Sequence, residues 1–273
     1  MNEYSVGIVM SYWEGDQPSF IEHAINSILT QTIIPNSIIL VRDGKVSYKT
    51  ERIVNQFLNN KIIEHVILPE NKGRGIARHT GVLKCKCNLI ALMDSDDISE
   101  SFRIEKQVNF LKKNKDIDIV GGYIHETDGI NKDIYRTVPL AHDAILKRGR
   151  FTQPFNHVTI MFRKNSYLKS GGYGSFRIVE DYDFFHKLYL SGSRFANIPE
   201  VLVKVRTNGQ QYKRQGYKYF REELSLQLLM YKSNYIKFLT LIRNLMIRII
   251  FRAMPGRIQT FFTKRLLRKS TKI

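Results

Sequence analysis

Apolar and polar positions alternate along the first hundred residues in two distinct periods. Short β-rich apolar runs at Val6 to Met10, Ser37 to Val41, His65 to Leu68 and Asn88 to Met93 read as strands. Between them lie segments with apolar residues at helical spacing. In Pro18 to Thr32 these are Phe20, Ile21, Ala24, Ile25, Ile28 and Leu29, and similar patterns cover Thr50 to Asn59 and Gly73 to Cys85. Strands that alternate with helices predict an α/β protein with a mostly parallel sheet covered on both faces. The loops after strands one, two and four then fall on one rim, which gathers Tyr12, Asp43 and Asp94 to Asp97.

Beyond a helix expected at Arg103 to Lys113 the alternation loosens. Asp118 to Tyr123, His157 to Phe162 and Val201 to Arg206 read as strands, and Glu180 to Asp183 opens a helix that runs from Phe184 to Leu190. A polar loop is expected at Asn208 to Gly216, and helix from Tyr217 onward with a break at Pro255-Gly256. The predicted organisation is a catalytic domain over 1–215, with halves of about 1–100 and 101–215, followed by a helical tail over 216–273.

Charge sharpens that division. The formal net charge is +18, yet eleven Lys or Arg and no Asp or Glu follow Leu224. The other 32 basic residues face 25 acidic ones, so residues 1–223 carry only +7. Ile236, Leu239, Ile242, Leu245, Met246 and Ile249 line one helical face, while Lys237, Arg248 and Arg252 cluster on another and Arg243 stands apart. Ile258 to Lys269 repeats the pattern. Such basic amphipathic helices suit an anionic bilayer surface; packing on the catalytic domain or on a dimer partner is the alternative. A nucleic-acid role fits less well, because the basic residues sit on an apolar tail and not within a recognition motif.

Cys85 and Cys87 are too few for a disulfide framework or a four-cysteine zinc site, and fit a reducing compartment. Met1 to Ser5 is polar and the following apolar run is short, so no signal peptide is expected. No run of about 18 uncharged apolar residues predicts a membrane span.

The densest chemistry is Asp94-Ser95-Asp96-Asp97, three carboxylates directly after a buried strand. Open α/β sheets bind ligands at the carboxyl ends of their strands. Carboxylates crowded there repel one another unless a hard cation sits among them. A helix cap would need only one such side chain. The expectation is a divalent metal that holds a phosphate-bearing substrate.

The segments VGIVMSYW, ILTQTIIPNSIILVRDG, NKGRGIARHTG, ALMDSDD, HVTIMFRK and VEDYDFF, in that order over about residues 4–206, resemble the family 2 glycosyltransferases. That resemblance implies a GT-A type, Rossmann-like nucleotide-sugar fold and metal-dependent, inverting transfer from a UDP-sugar. It places Asp43 and Tyr12 at the base, although the family commonly has two adjacent aspartates where this chain has Arg42-Asp43. It places Arg74 and Arg78 facing the nucleotide, and Asp94, Ser95 and Asp96 as the DxD motif, with Asp94 and Asp96 on Mn²⁺ or Mg²⁺. Asp181 is then the general base and Glu180 its acidic neighbour; His157 is a candidate for the acceptor side and Arg206 for closing over the diphosphate. The implied acceptor is a saccharide or lipid-linked saccharide used in surface polysaccharide synthesis, at the cytoplasmic face of the bacterial plasma membrane. The Gln-x-x-Arg-Trp signature of processive relatives is absent, which predicts one sugar per encounter. A sugar-phosphate nucleotidyltransferase would share the strand–helix alternation, but needs a basic glycine-rich loop where this chain has Tyr12-Trp13-Glu14-Gly15-Asp16.

Overall fold

A computed structural model describes residues 4–127, 133–207 and 217–253. One sheet organises them. Its strands are β1 (Val6–Tyr12), β2 (Ser37–Asp43), β3 (Ile63–Leu68), β4 (Leu89–Asp94), β5 (Ile98–Ser99), β6 (Ile119–Thr127), β7 (Asp133–Arg136), β8 (Met161–Arg163) and β9 (Phe195–Arg206). They lie in the order β3-β2-β1-β4-β8-β6-β9-β5, with β7 paired to β6. The first four are parallel, as their near-continuous apolar runs require for strands covered on both sides. The sheet then turns mixed: β8 runs antiparallel to β4 and β6, while β6 and β9 are parallel to each other.

The helices are α1 (Pro18–Leu29), α2 (Tyr48–Asn55), α3 (Arg74–Lys84), α4 (Arg103–Lys113), α5 (His142–Gly149), α6 (Lys164–Lys169), α7 (Glu180–Leu190), α8 (Tyr217–Lys232) and α9 (Phe238–Ala253). Alternate residues of each buried strand feed two cores. Val9, Ile39, Val41, Ile90 and Leu92 pack toward α3, α7 and the α8–α9 hairpin, whereas Ile8, Met10, Ile38, Leu40 and Ala91 pack toward α1 and α4. Close approach on the first side needs glycine: a Cβ on Gly7 would lie 2.1 Å from Cys85 Sγ.

Three expectations change. His157 to Phe162 is a 3-10 turn over His157–Thr159 followed by β8: Thr159 Oγ1 donates back to the carbonyl of Asn156, and the Asn156 amide donates to the carbonyl of Gly122 on β6, which holds the turn out of the ladder. The strand expected at Val201 begins six residues earlier, at Phe195. Ile98–Ser99, not expected as a strand, pairs with β9; α4 starts at Arg103 as expected, and the acidic run caps no helix. The polar loop expected at 208–216 and the second tail segment at 258–269 lie outside the described residues. No helix among the described residues is long and apolar enough to cross a membrane.

Candidate functional site

The carboxyl ends of β1, β2 and β4 open on a cleft of about 400 Å³ lined by residues that include Trp13, Asp16, Asp43, Arg74, Asp94 and Asp96. Parallel pairing in register puts them there, since Ser11 lies beside Asp94 and Tyr12 beside Arg42.

At one side of the cleft, Asp43 is 4% exposed and accepts the backbone N–H groups of Lys72 (2.7 Å) and Gly73 (3.0 Å). Gly73 precedes α3 at φ +91°, a conformation that favours glycine, so the carboxylate and the glycine together fix the entry to the helix. The unpaired N–H groups of that helix terminus favour an anion. Tyr12 lines the cleft but is 2% exposed, and its hydroxyl hydrogen bonds His65 Nε2 at 2.7 Å. The freely exposed aromatic is its neighbour Trp13, folded over Gly15.

The acidic group is densely wired. Carboxylate oxygens of Asp94, Asp96 and Asp97 all lie within 4.8 Å of one another. Burial works against the charge of Asp94, but the guanidinium groups of Arg78 and Arg74 outweigh it and hold the carboxyl below its usual range. Arg78 is 3% exposed; it pairs with Asp94 and reaches Glu180 at 3.6 Å. Asp96 is pushed up to about 6 by burial and by Asp94 and Asp16. Asp97 is raised too, by burial first and then by Asp96 and Asp94, and its Oδ1 accepts the backbone N–H of Arg206 at 3.1 Å. Ser95 also lines the cleft and donates to Asp16 Oδ2 at 2.6 Å. Arg206 stacks over Phe20 at 4.4 Å and donates to the Asp96 carbonyl at 3.2 Å, which holds it at the rim of the cluster.

Glu180 and Asp181 open α7 behind this cleft and do not line it. Glu180 joins it through Arg78 and through Arg74, whose Nε is 3.4 Å away. Asp181 and His157 line a second, smaller cavity with Gln153 and Phe155. Burial, then Arg78, lowers His157 to about 4, so its imidazole is neutral at physiological pH; Nε2 hydrogen bonds the Tyr173 hydroxyl at 2.6 Å.

Cleft residues that escaped the sequence reading include Trp13, Asp16 and Arg177, beside Ser11 and Asn71. Arg177 comes from the loop before α7 and donates to Asn71 Oδ1 at 2.9 Å. Trp13 lies one residue beyond the end of β1, so strand alternation does not fix which way it faces. Arg177 carried no local signal.

The family model for glycosyl transferase family 2 matches residues 8–172. The chain belongs to that family. This glycosyltransferase is 32% identical over 265 residues to the UDP-Gal:alpha-D-GlcNAc-diphosphoundecaprenol beta-1,3-galactosyltransferase of Escherichia coli, with 96% of each chain covered. Its fold matches that of S. aureus TarS 1-349 in complex with UDP-GlcNAc, at a TM-score of 0.68 and 14% identity over 96% of this chain and 76% of that one. It also matches the mannosyltransferase PcManGT from Pyrobaculum calidifontis in complex with GDP-Man and Mn2+, at a TM-score of 0.61 and 13% identity over 96% and 80%. These two likenesses confirm the glycosyltransferase's α/β architecture.

Proposed function

We propose that this glycosyltransferase moves a sugar, with inversion, from a UDP-sugar to a saccharide or lipid-linked saccharide acceptor in bacterial surface-polysaccharide synthesis. The observation that carries the reading is the acidic cluster facing the same cleft as Arg74 and the N-terminus of α3. The named substrates of the E. coli relative and the UDP-GlcNAc bound to the structural neighbour support the donor and acceptor classes.

The cluster fits a hard divalent cation. Its donors are all oxygens, and Asp96 sits where its neighbours disfavour its charge, a conflict that a cation relieves. Asp94 and Asp96 would hold Mn²⁺ or Mg²⁺, while Asp97 is already engaged by the strand end at Arg206. Bound there, the ion supplies charge neutralisation on the leaving diphosphate. Arg74 and the α3 N-terminus face the same phosphates. Trp13 offers a flat apolar surface to the base; Asp43 shapes the turn beneath it and keeps lone pairs for a base N–H. Asp181 takes the proton of the acceptor hydroxyl as that oxygen attacks the anomeric carbon opposite the diphosphate. Neutral His157 lies on the acceptor side of that carboxylate, and Glu180 positions the α7 terminus between Arg74 and Arg78.

The catalytic unit is residues 1–215, with the nucleotide in 1–100 and the acceptor in 101–215. A lipid-linked acceptor places the enzyme at the inner face of the plasma membrane, with 216–273 as the attachment. A thermal-shift screen over nucleotide sugars with and without Mn²⁺ tests the reading. Occupancy at 100 times Kd stabilises by about 2.7 kcal/mol, so UDP-sugars should raise Tm by roughly 5 °C or more, only with the metal. An equal shift in EDTA, or none, overturns it.

A further inference from the structure

Helix α9 is built inside out. Residues advance about 100° around a helix at each step, so Leu241, Asn244, Leu245 and Arg248 share one side of it. That side packs on the protein, and it carries the polar Asn244 and Arg248 beside Leu241 and Leu245. Asn244 Nδ2 donates to the carbonyl of Arg150 (2.8 Å) and to Gln227 Oε1 (2.7 Å), and Arg248 donates to the carbonyl of Phe151 (3.1 Å). The opposite half shows Phe238, Leu239, Ile242, Met246, Ile249 and Ile250 to the outside, Leu239 at 81% exposure and Ile250 at 56%. A helix shaped only by its own protein's core turns its apolar stripe inward. Arg248, expected from the sequence on an outer charged side, is drawn inward by the carbonyl of Phe151.

We propose that the outward face of α9 docks on an anionic lipid surface, lying in the interface with its axis along the membrane. Charge selects this occupant. Exposed Lys232, Lys237 and Arg243 flank the apolar face, and no Asp or Glu follows Leu224 in the sequence. A second copy on the same face would bring two such basic segments together. A bilayer with anionic headgroups receives the apolar side chains and supplies the counter-charge. The sixteen residues of α9 are too few to span it.

The hairpin also bears on the cleft. Tyr235 on the α8–α9 turn donates to the carbonyl of Leu146, Ser233 hydrogen bonds His186 of α7, and Glu222 of α8 accepts the backbone N–H groups of Arg177 and Ile178 at 3.1 and 2.8 Å. The docked face and the loop that brings Arg177 to the cleft are therefore parts of one packed unit. Docking holds the cleft at a set distance from the lipid that carries the acceptor. Only this purpose rests on the proposed acceptor; the surface stands without it.

The test is co-sedimentation of the full chain with phosphatidylcholine vesicles, with and without about 30 mol % phosphatidylglycerol. The wild type should pellet with the anionic vesicles alone. Leu239→Glu, Met246→Glu and Ile250→Glu together should lower the partition coefficient at least tenfold, with the unfolding temperature and turnover on a water-soluble acceptor unchanged. Lys232→Gln, Lys237→Gln and Arg243→Gln together should weaken binding and flatten its salt dependence. The proposal falls if the wild type stays in the supernatant, or if the triple Glu variant binds as the wild type does. It falls too if that variant only converts a dimer to a monomer in sedimentation velocity, or if removing 254–273 abolishes binding while the triple Glu variant does not. Vesicle binding without any transfer would instead sink the enzymatic reading, and transfer without vesicle binding the docking alone.

Discussion

Replacing Glu180 by Gln should make the protein more stable at alkaline pH. The side chain is 2% exposed; both guanidinium contacts are long, at 3.4 and 3.6 Å, and Oε2 has no hydrogen-bond partner among the described residues. Burial raises the carboxyl from 4.5 to about 7; Arg74 and Arg78 pull it down, and Asp181 adds to the rise. An acid that binds its proton more tightly when folded favours the folded state fully below its unfolded pKa. That contribution is lost as pH rises through the folded value. At roughly 1.4 kcal/mol for each tenfold change in proton affinity, the wild type loses about 3 kcal/mol from this group between pH 4.5 and 8. Glu180→Gln cannot titrate there. Urea unfolding of both proteins at pH 4.5, 6, 7 and 8 cancels the titrations they share. The stability difference should move toward the variant by about 3 kcal/mol across the series, while transfer activity falls. A flat difference, or one moving toward the wild type, would show that the arginines keep Glu180 ionised and would refute the reasoning.

Asp181→Asn should lower kcat by about 10²–10⁴-fold with the UDP dissociation constant unchanged, the signature of a lost proton acceptor; turnover at the wild-type rate removes Asp181 from that role. Trp13→Ala should weaken UDP binding by about tenfold or more in calorimetry and Trp13→Phe should restore most of it, as stacking on a base requires. Asp96→Asn should eliminate the Mn²⁺-dependent part of the donor-induced Tm shift, and a retained shift would place the metal elsewhere. Gly7→Ala should destabilise by about 1–3 kcal/mol because its Cβ meets Cys85 Sγ at 2.1 Å. In urea unfolding, adding Cys85→Ala should recover part of that loss through a measurable coupling energy.

The local pattern carried most of the architecture. Buried parallel strands advertise themselves as continuous apolar runs, and the helices between them by their spacing, so β1 to β4 and α1 to α4 were legible. Short strands were less so: β8 was expected, but over His157 to Phe162. Ile98–Ser99 is strand only because β9 passes beside it, and the three-residue β8 depends on two partners. Pairing across a long stretch of chain leaves no periodic trace in so few residues.

The site divides the same way. Asp94 to Asp97, Arg74 and Arg78 stand out in the sequence because charge clustered at a strand end or helix start is costly without a purpose. What each charge does is a matter of tertiary position. Arg78 becomes the buried link between Asp94 and Glu180, Asp97 is committed to the end of β9, and Ser95 serves Asp16. Burial and long-range neighbours, which no local window contains, lift Asp96 to about 6 and Glu180 to about 7.

The amino-acid sequence by itself determined the fold class, the family and the concentration of positive charge after Leu224. Only the tertiary structure decided that Tyr12 turns to His65 while Trp13 is left exposed at the cleft, and that α9 packs Asn244 and Arg248 inward beside Leu241 and leaves most of its apolar residues outward. Periodicity specifies that a helix or strand has two faces. Which face is buried depends on what the rest of the chain places against it.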